Sequence, residues 1–237
     1  LKEINPDVIV VVAYGKILPK EILDLPRLGC VNGHASLLPK YRGASPIQWC
    51  IVCGETETGI TTMYMNEGMD TGDMLLKSEV PITEDDDFST LHDKLATVGA
   101  DLLLKTLPTL ENGTAVRIKQ DDALATYAPI IKKEMGMLDF NKNATELRNL
   151  IRGFNPWPCA YTFLGGKRLK VLSATVLSDN HNTETGLVFD IKDGLAVTCG
   201  EGTTLLLQTV QLEGSKAMPS ADMLKGHPLS KGMKIGV

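Results

Sequence analysis

The chain has 237 residues and a mass of 25.7 kDa, with 43% hydrophobic residues, 22% charged residues and a formal net charge of −5. This composition supports a packed core and excludes an intrinsically disordered chain. The longest apolar run, residues 8–13, is far shorter than the ~20 residues of a membrane-spanning helix, and no signal peptide opens the chain. Five scattered cysteines predict reduced thiols in a cytosolic or organellar interior.

The first half of the chain alternates strand-like and helix-like segments. Residues 7–12 form a β-branched run that is typical of a strand buried on both faces of a parallel sheet. Further strands are predicted at residues 28–31, 60–64 and 74–80, and helices at residues 46–52 and 88–104. The second helix carries an apolar stripe at helical spacing, formed by Leu91, Leu95, Val98 and Leu102. The acidic run at residues 84–87 suits the start of this helix better than a metal site. The alternation predicts an α/β fold.

From residue 129 onward the pattern changes to short strands separated by turns. A helix is predicted at residues 145–153, followed by strands at residues 160–164, 169–176, 186–191, 195–198 and 204–212. This pattern predicts a small antiparallel β-barrel. We therefore divide the chain into a first domain (residues 1–120), a linker (residues 121–128) and a second domain (residues 129–237).

The two parts of the chain differ in charge. Residues 1–128 carry a net charge of −8 and residues 129–237 a net charge of +3. The difference indicates either chance variation of surface charges or a C-terminal part that meets a polyanion while the N-terminal part performs the chemistry.

The densest polar cluster follows the predicted strand at residues 28–31. Asn32 and His34 are two residues apart, so an extended backbone projects both side chains to the same face, and Gly33 leaves the backbone between them uncovered. Ligands of open α/β sheets bind beyond the carboxyl ends of strands. An amide beside an imidazole can stabilise an oxyanion and manage a proton during acyl transfer. The alternative is a structural histidine next to a turn asparagine.

A carboxylate partner for His34 is expected from the glycine-containing loop at residues 67–73. Asp70 and Asp73 are both candidates, and their spacing does not choose between them. A carboxylate beside His34 would favour the imidazolium and select one tautomer. A solvated turn is the alternative reading of this loop.

Other patterns indicate no further site. Cys50 and Cys53 have the spacing of half a zinc site, but no second Cys or His pair lies at suitable spacing, so we expect both to be packing residues. The glycines form no nucleotide-binding pattern, and no metal is expected.

Taken together, these segments resemble the folate-dependent formyltransferases, and most closely those that act on methionyl-tRNA. The segment Asn-Gly-His-Ala-Ser-Leu-Leu-Pro at residues 32–39 is similar to the family signature, and Asp70 stands where the family has its catalytic aspartate. Further segments follow the family at residues 13–19, 41–48, 57–60, 151–158, 226–229 and 231–232. The resemblance therefore covers essentially the whole chain.

The resemblance implies transfer of a formyl group from 10-formyltetrahydrofolate to the α-amine of methionine on initiator tRNA. It assigns catalytic roles to Asn32, which would stabilise the oxyanion, to His34, which would assist it and take part in proton transfer, and to Asp70, which would orient His34. It places folate contacts at Tyr14, Gly15, Ile17, Leu18, Ser36, Leu37, Leu38, Pro39 and Gly68, and substrate contacts at Arg42, Arg152, Lys167, Arg168 and Lys170.

The fold implied is a Rossmann-like formyltransferase domain followed by an OB-fold-like, tRNA-binding domain. The expected partners are methionyl initiator tRNA and tetrahydrofolate, without membrane attachment. A monomer in the bacterial cytoplasm or an organellar matrix is expected. The family has several strands before the segment matching residues 7–12, so we expect that the N-terminal part of the catalytic domain precedes Leu1.

Three alternatives to this function remain open at the level of sequence. The chain could be another folate-dependent formyltransferase, or a domain of the formyltetrahydrofolate hydrolase or dehydrogenase type. It could also be a catalytically inactive tRNA-binding fragment.

Overall fold

The computed structural model describes residues 1–178 and 181–236 and divides the chain into two compact units. The first unit contains Leu1–Cys50, Glu55–Asp86 and Thr90–Ile130. The second contains Ile51–Gly54, Asp87–Ser89 and the chain from Ile131 onward. Among the described residues, every helix falls short of the length and hydrophobicity that a bilayer crossing demands.

The N-terminal 130 residues form a mixed α/β arrangement. In chain order they contain β1 (Ile9–Val11), α1 (Lys20–Leu23), β2 (Cys30–His34), β3 (Arg42–Gly43), α2 (Pro46–Val52), β4 (Glu57–Tyr64), β5 (Met74–Pro81), α3 (Phe88–Glu111) and β6 (Tyr127–Ala128). Four strands form one sheet in the order β1-β2-β4-β5, in which β1 and β2 are parallel and the other pairs are antiparallel. The short strands β3 and β6 form a separate parallel pair.

A strand forms within residues 7–12, as predicted, but the prediction that it is buried on both faces is wrong. The strand β1 has three residues and forms an edge of the sheet. Its Val10 is 41% exposed, and Val12, just after the strand, is 58% exposed. Its β-branched residues favour extended backbone, but burial on both faces needs neighbours that β1 lacks among the described residues.

The strand predicted at residues 28–31 lies further along the chain. The strand β2 runs from Cys30 to His34, with Asn32 opposite Met63 and His34 opposite Thr61 of β4. The polar residues Asn32 and His34 therefore lie on the strand itself, because pairing with β4 continues through them.

The helix α3 extends further than predicted, to Glu111, and buries Leu91, Leu95 and Leu102. Asp86, two residues before the helix, accepts hydrogen bonds from the Thr83 amide and from the hydroxyls of Thr83 and Thr90. Lys94 Nζ lies 2.7 Å from its carboxylate. Burial alone would raise the pKa of Asp86, but the bonds from Lys94, Thr83 and Thr90 hold that pKa well below its ordinary value.

From Ile131 onward the chain forms an antiparallel sheet with two helices. The elements are α4 (Ala144–Phe154), β7 (Ala160–Leu164), β8 (Lys167–Leu177), β9 (Val188–Asp190), β10 (Leu195–Thr198), β11 (Thr204–Leu212), β12 (Met218–Pro219) and α5 (Ser220–Gly226). The strand order is β7-β8-β11-β10-β9, and β12 pairs with β11. Leu147 and Ile151 of α4 share one core with Leu169, Leu205 and Leu207 of the sheet. The predicted helix and five strands are all present: β7, β10 and β11 have the predicted ends, and the ends of α4, β8 and β9 are shifted by one or two residues.

The predicted linker at residues 121–128 lies within the first unit. The hydroxyl of Thr126 accepts a hydrogen bond from the Tyr41 amide at 2.9 Å, and β6 pairs with β3. After the predicted linker, the chain passes from the first unit to the second between Ile130 and Ile131.

Candidate active site

The site begins at the carboxyl end of β2. A Cβ atom on Gly33 would lie 3.7 Å from Leu103 of α3, so this face of the strand packs against the helix. Asn32 and His34 alternate with Gly33 and project to the opposite face, as the sequence predicts. His34 is buried, whereas Asn32 is half-buried. The side-chain carboxamide of Asn32 has no hydrogen-bond partner in the described part of the chain. The Asn32 amide is therefore available to a ligand.

The imidazole of His34 lies between two acceptors. Its Nε2 atom is 2.9 Å from the carbonyl oxygen of Tyr41, and its Nδ1 atom is 3.7 Å from Oδ2 of Asp70. Because a carbonyl oxygen only accepts, the Nε2 atom donates. The Tyr41 carbonyl and the Asp70 carboxylate thus lie on opposite sides of the ring and orient it.

The geometry chooses between the two carboxylates that the sequence leaves open. Asp73 pairs with Arg117, whose Nε lies 2.9 Å from its Oδ2. Asp70 is the carboxylate that faces His34.

The backbone around Asp70 is tightly constrained. Asp70 has a φ of 54°, in the left-handed region that L-residues seldom adopt. Its Oδ2 accepts a hydrogen bond of 2.8 Å from the amide of Gly43. Gly43 itself has a φ of 121°, and a Cβ atom there would lie 2.7 Å from the carbonyl oxygen of Ala128. Only glycine allows β3 to approach β6 this closely and present its amide to Asp70.

Sequence reasoning missed Gln120. Its side chain donates to the carbonyl oxygens of Asp70 and Gly72, both at 2.8 Å, and its Oε1 accepts from Arg42 Nε and Nη2 at 3.0 and 2.8 Å. Gln120 lies 50 residues from Asp70, at the last residue of the predicted first domain, so no local pattern points to it.

Arg42, an expected substrate contact, is 2% exposed in this structure. Its guanidinium also bonds Asp122 Oδ1 at 2.7 Å and so makes internal contacts.

The predicted folate contacts fall into two groups. Ser36 and Leu38 are fully buried. The Ser36 hydroxyl donates to the Lys40 carbonyl at 2.6 Å, and Leu38 packs with Met63 and Met74. Their side chains stabilise the loop after β2, whereas Leu37 and Pro39 beside them remain half-buried.

The residues before α1 are more accessible. Tyr14 is 60% and Ile17 69% exposed, Gly15 is exposed as well, and Leu18 is buried. Gly68 lines a shallow cleft of about 400 Å³, together with Lys20, Leu23, Asp24, Met65, Asn66 and Glu67.

The second unit contains a basic cleft of about 520 Å³. It is lined by Phe163, Arg168, Lys170, Gln211, Leu212, Glu213 and Gly214. The guanidinium of Arg168 lies 4.4 Å from the ring centroid of Tyr161, a cation–π contact. Of the other predicted substrate contacts, Lys167 is exposed at the start of β8, and Arg152 on α4 donates to Asn149 at 3.0 Å.

The cysteines are unpaired, and Cys30, Cys50, Cys159 and Cys199 are buried. The packing role predicted for Cys53 is wrong, since Cys53 is exposed after the end of α2. Burial raises the pKa of the Cys30 and Cys159 thiols and raises that of Cys199 to about 12. Within residues 1–178 and 181–236, no three His, Cys, Asp or Glu side chains converge in a way that could hold a metal ion.

Comparison with known proteins defines the class. The chain matches the profile of the formyl transferases over residues 1–107 and that of the formyl transferase C-terminal domain over residues 130–228. The chain therefore belongs to the formyltransferase family.

Its similar relatives narrow the class further. The methionyl-tRNA formyltransferase of Caldanaerobacter subterraneus subsp. tengcongensis is 56% identical, over 98% of this chain and 75% of its own length. That of Geobacter metallireducens is 51% identical, over 100% of this chain and 75% of its own length.

Solved structures share the fold. The methionyl-tRNA formyltransferase from Clostridium thermocellum has a TM-score of 0.58 at 26% identity, over 73% of this chain and 74% of that one. The sugar 3N-formyl transferase WlaRD, solved in the presence of dTDP and 5-N-formyl-THF, has a TM-score of 0.70 at 20% identity, over 91% of this chain and 77% of that one.

Proposed function

We propose that this protein transfers the formyl group of 10-formyltetrahydrofolate to the α-amino group of methionyl initiator tRNA, which starts translation. The observation that carries the proposal is the unbonded side-chain carboxamide of Asn32 beside His34, with Asp70 facing the imidazole. The methionyl-tRNA formyltransferases at 56% and 51% identity support the choice of acceptor.

The site residues match the charge changes of the reaction. As the amine attacks the formyl carbon, the formyl oxygen gains negative charge before the bond from carbon to the donor nitrogen breaks. The Asn32 amide would donate to this oxygen, a contact that is worth most in the transition state. His34, faced by Asp70 at 3.7 Å, would assist the oxyanion and take part in proton transfer. The Nε2 bond to Tyr41 fixes the ring orientation.

The formyl donor would contact the accessible side chains near β2. The exposed ring of Tyr14 and the exposed side chain of Ile17 fit an aromatic, partly apolar ligand. Gly15, Leu37, Pro39 and Gly68 would complete this contact through accessible backbone and side chains. Ser36, Leu38 and Leu18, whose side chains are buried, would support it indirectly.

The second domain, residues 129–237, would bind tRNA as an OB-fold-like module. Its net charge of +3 and the cleft with Arg168 and Lys170 fit a phosphate backbone, since such binding is largely electrostatic. Lys167 and Arg152 would add to the positive electrostatic field that attracts the tRNA. The catalytic domain would correspond to residues 1–120. We further propose that the protein acts as a monomer, without a metal ion, in the bacterial cytoplasm; the relatives above come from bacteria.

The test is a formyl-transfer assay with purified protein and 10-formyltetrahydrofolate. Three acceptors are compared: methionyl initiator tRNA, free methionine and a dTDP-linked amino sugar. We expect formylation of the charged tRNA alone, and its loss in Asn32→Ala. Formylation of the amino sugar would instead assign the protein to a different branch of the family, and tRNA binding without transfer would indicate an inactive binding protein.

A further inference from the structure

We propose that Gln120 is the positioning residue for Asp70: its carboxamide holds the loop that presents this carboxylate to His34. The inference rests on the proposed function, because it concerns the residue that orients the catalytic pair. Residues 32–39 and 69–73 carry the recognisable motifs, and Gln120 lies outside both.

The hydrogen bonds of Gln120 leave only one orientation for its amide. The carbonyls of Asp70 and Gly72 only accept, so Nε2 must face them, and the guanidinium of Arg42 only donates, so Oε1 must face it. Gln120 is 5% exposed and Arg42 2% exposed. Both Nε2 protons and both lone-pair positions of Oε1 are therefore used in a site with little water.

The loop needs this support because its conformation is unfavourable by itself. Asp70 has a φ of 54°, in the left-handed region that is unfavourable for L-residues. The Gln120 bonds to Asp70 and Gly72 hold the backbone on both sides of Thr71. The left-handed turn at Asp70 is thus fixed from outside the loop.

The contacts form a closed ring. The amide of Gly43 donates to Oδ2 of Asp70, while the side chain of Arg42, one residue earlier, bonds Gln120, which in turn bonds the Asp70 carbonyl. The dipeptide Arg42–Gly43 thereby fixes both ends of Asp70, the carboxylate directly and the backbone through Gln120. Without Gln120 the carboxylate retains the Gly43 contact but loses its backbone anchor.

The first experiment compares two substitutions of Gln120 in the formyl-transfer assay. Gln120→Met keeps the length and removes every hydrogen bond, whereas Gln120→Glu keeps an acceptor for Arg42 but turns an oxygen toward the two carbonyls. We expect both to lower kcat roughly 10–100-fold, because a displacement of about 1 Å has such an effect, with KM for both substrates nearly unchanged. Gln208→Met, on an exposed position of β11, is the matched control and should be neutral.

A double-mutant cycle tests whether Gln120 acts through Asp70. In an Asp70→Ala background, Gln120→Met should cause little further loss, since the carboxylate that Gln120 positions is already absent. Losses that multiply, or a Gln120→Glu variant with wild-type kcat, would overturn the proposal. Should Gln120→Met fail to fold, Gln120→Glu carries the test alone.

A second readout does not depend on activity. The Cε1–H resonance of His34, assigned with a His34→Gln variant, is recorded by NMR at one fixed pH. In Gln120→Glu and Gln120→Met its chemical shift should change, since the carboxylate that faces the ring is displaced, whereas in Gln208→Met it should not. An unchanged chemical shift would refute the positioning role, even if the wild-type protein formylated no tRNA. Loss of wild-type transfer with a changed chemical shift would refute only the proposed function.

Discussion

In the first unit, the side chains of His34, Arg42 and Gln120 are buried and make hydrogen bonds within the protein, whereas the cations of β8 in the second unit lie at or near the surface. His34, Arg42 and Gln120 have no more than 6% exposure, while Lys167 and Arg168 are exposed. Burial strengthens each hydrogen bond, because the dielectric constant around it is low, and it fixes the geometry of the contact. Exposed charges act together through a field that salt screens. The first arrangement suits chemistry at one atom, and the second suits a long, flexible polyanion.

The largest effect is expected from truncating the catalytic side chains. Asn32→Ala, His34→Ala and Asp70→Ala should each lower kcat, by about 10²–10³-fold for the oxyanion donor, while the affinity for tRNA remains unchanged. Asp73→Ala should be milder, because Asp73 pairs with Arg117 away from the site. Near-normal turnover of His34→Ala at saturating formyl donor would remove His34 from the mechanism and weaken the contrast between the units.

A smaller effect is expected at the start of α3. Asp86→Asn should lower the free energy of unfolding by about 1–3 kcal/mol at pH 7, because a buried, charge-assisted network is broken. Since the pKa of Asp86 is lowered in the folded state, its contribution is complete above the unfolded pKa of about 3.9 and is lost as the pH falls below it.

Urea unfolding at pH 7 and at pH 3 measures this difference. The gap between Asp86→Asn and the wild type should narrow at the lower pH. Asp85→Asn, at the exposed neighbouring position, is the matched control and should be neutral at both. An equal gap at the two pH values would show that packing, and not charge, determines the effect.

The basic cleft should respond to salt and only modestly to substitution. Replacing Arg168 and Lys170 together by Gln should weaken tRNA binding about tenfold at low salt and reduce the slope of log K against log salt by up to about 2. The measurement is a salt series of binding isotherms with the whole protein. Lys192→Gln with Lys216→Gln, two exposed lysines in the same unit, is the control. An identical slope in both double variants would show that tRNA binding depends on the net charge of the second unit and not on Arg168 and Lys170 in particular.

The smallest effect concerns the thiols and asks whether the two units are equally well packed. A charged thiol reagent at neutral pH should label Cys53 alone, because the other four cysteines are buried, two in each unit, and burial raises the pKa of Cys30, Cys159 and Cys199. Formyl transfer should be unaffected. Rapid labelling of Cys159 or Cys199 would indicate that the second unit opens more readily than the first.

Much of the fold and part of the site can be read from the sequence because they depend on neighbouring residues. The spacing of Asn32 and His34 determines that both side chains leave the strand on one face, whatever the rest of the fold does. Helical spacing of Leu91, Leu95 and Leu102 likewise predicts the buried face of α3. The contiguous motif at residues 32–39 is enough to indicate the family that the comparisons establish.

The tertiary structure alone decides features that depend on residues far apart in the chain. Residues 7–12 favour a strand by composition, but their exposure follows from the position of β1 at the sheet edge. Asp70 and Asp73 are equivalent by spacing, and only the path of the loop turns one toward His34 and the other toward Arg117. Gln120 reaches across 50 residues to Asp70, and no periodicity or motif encodes such a contact, because folding, and not local backbone geometry, brings the two together.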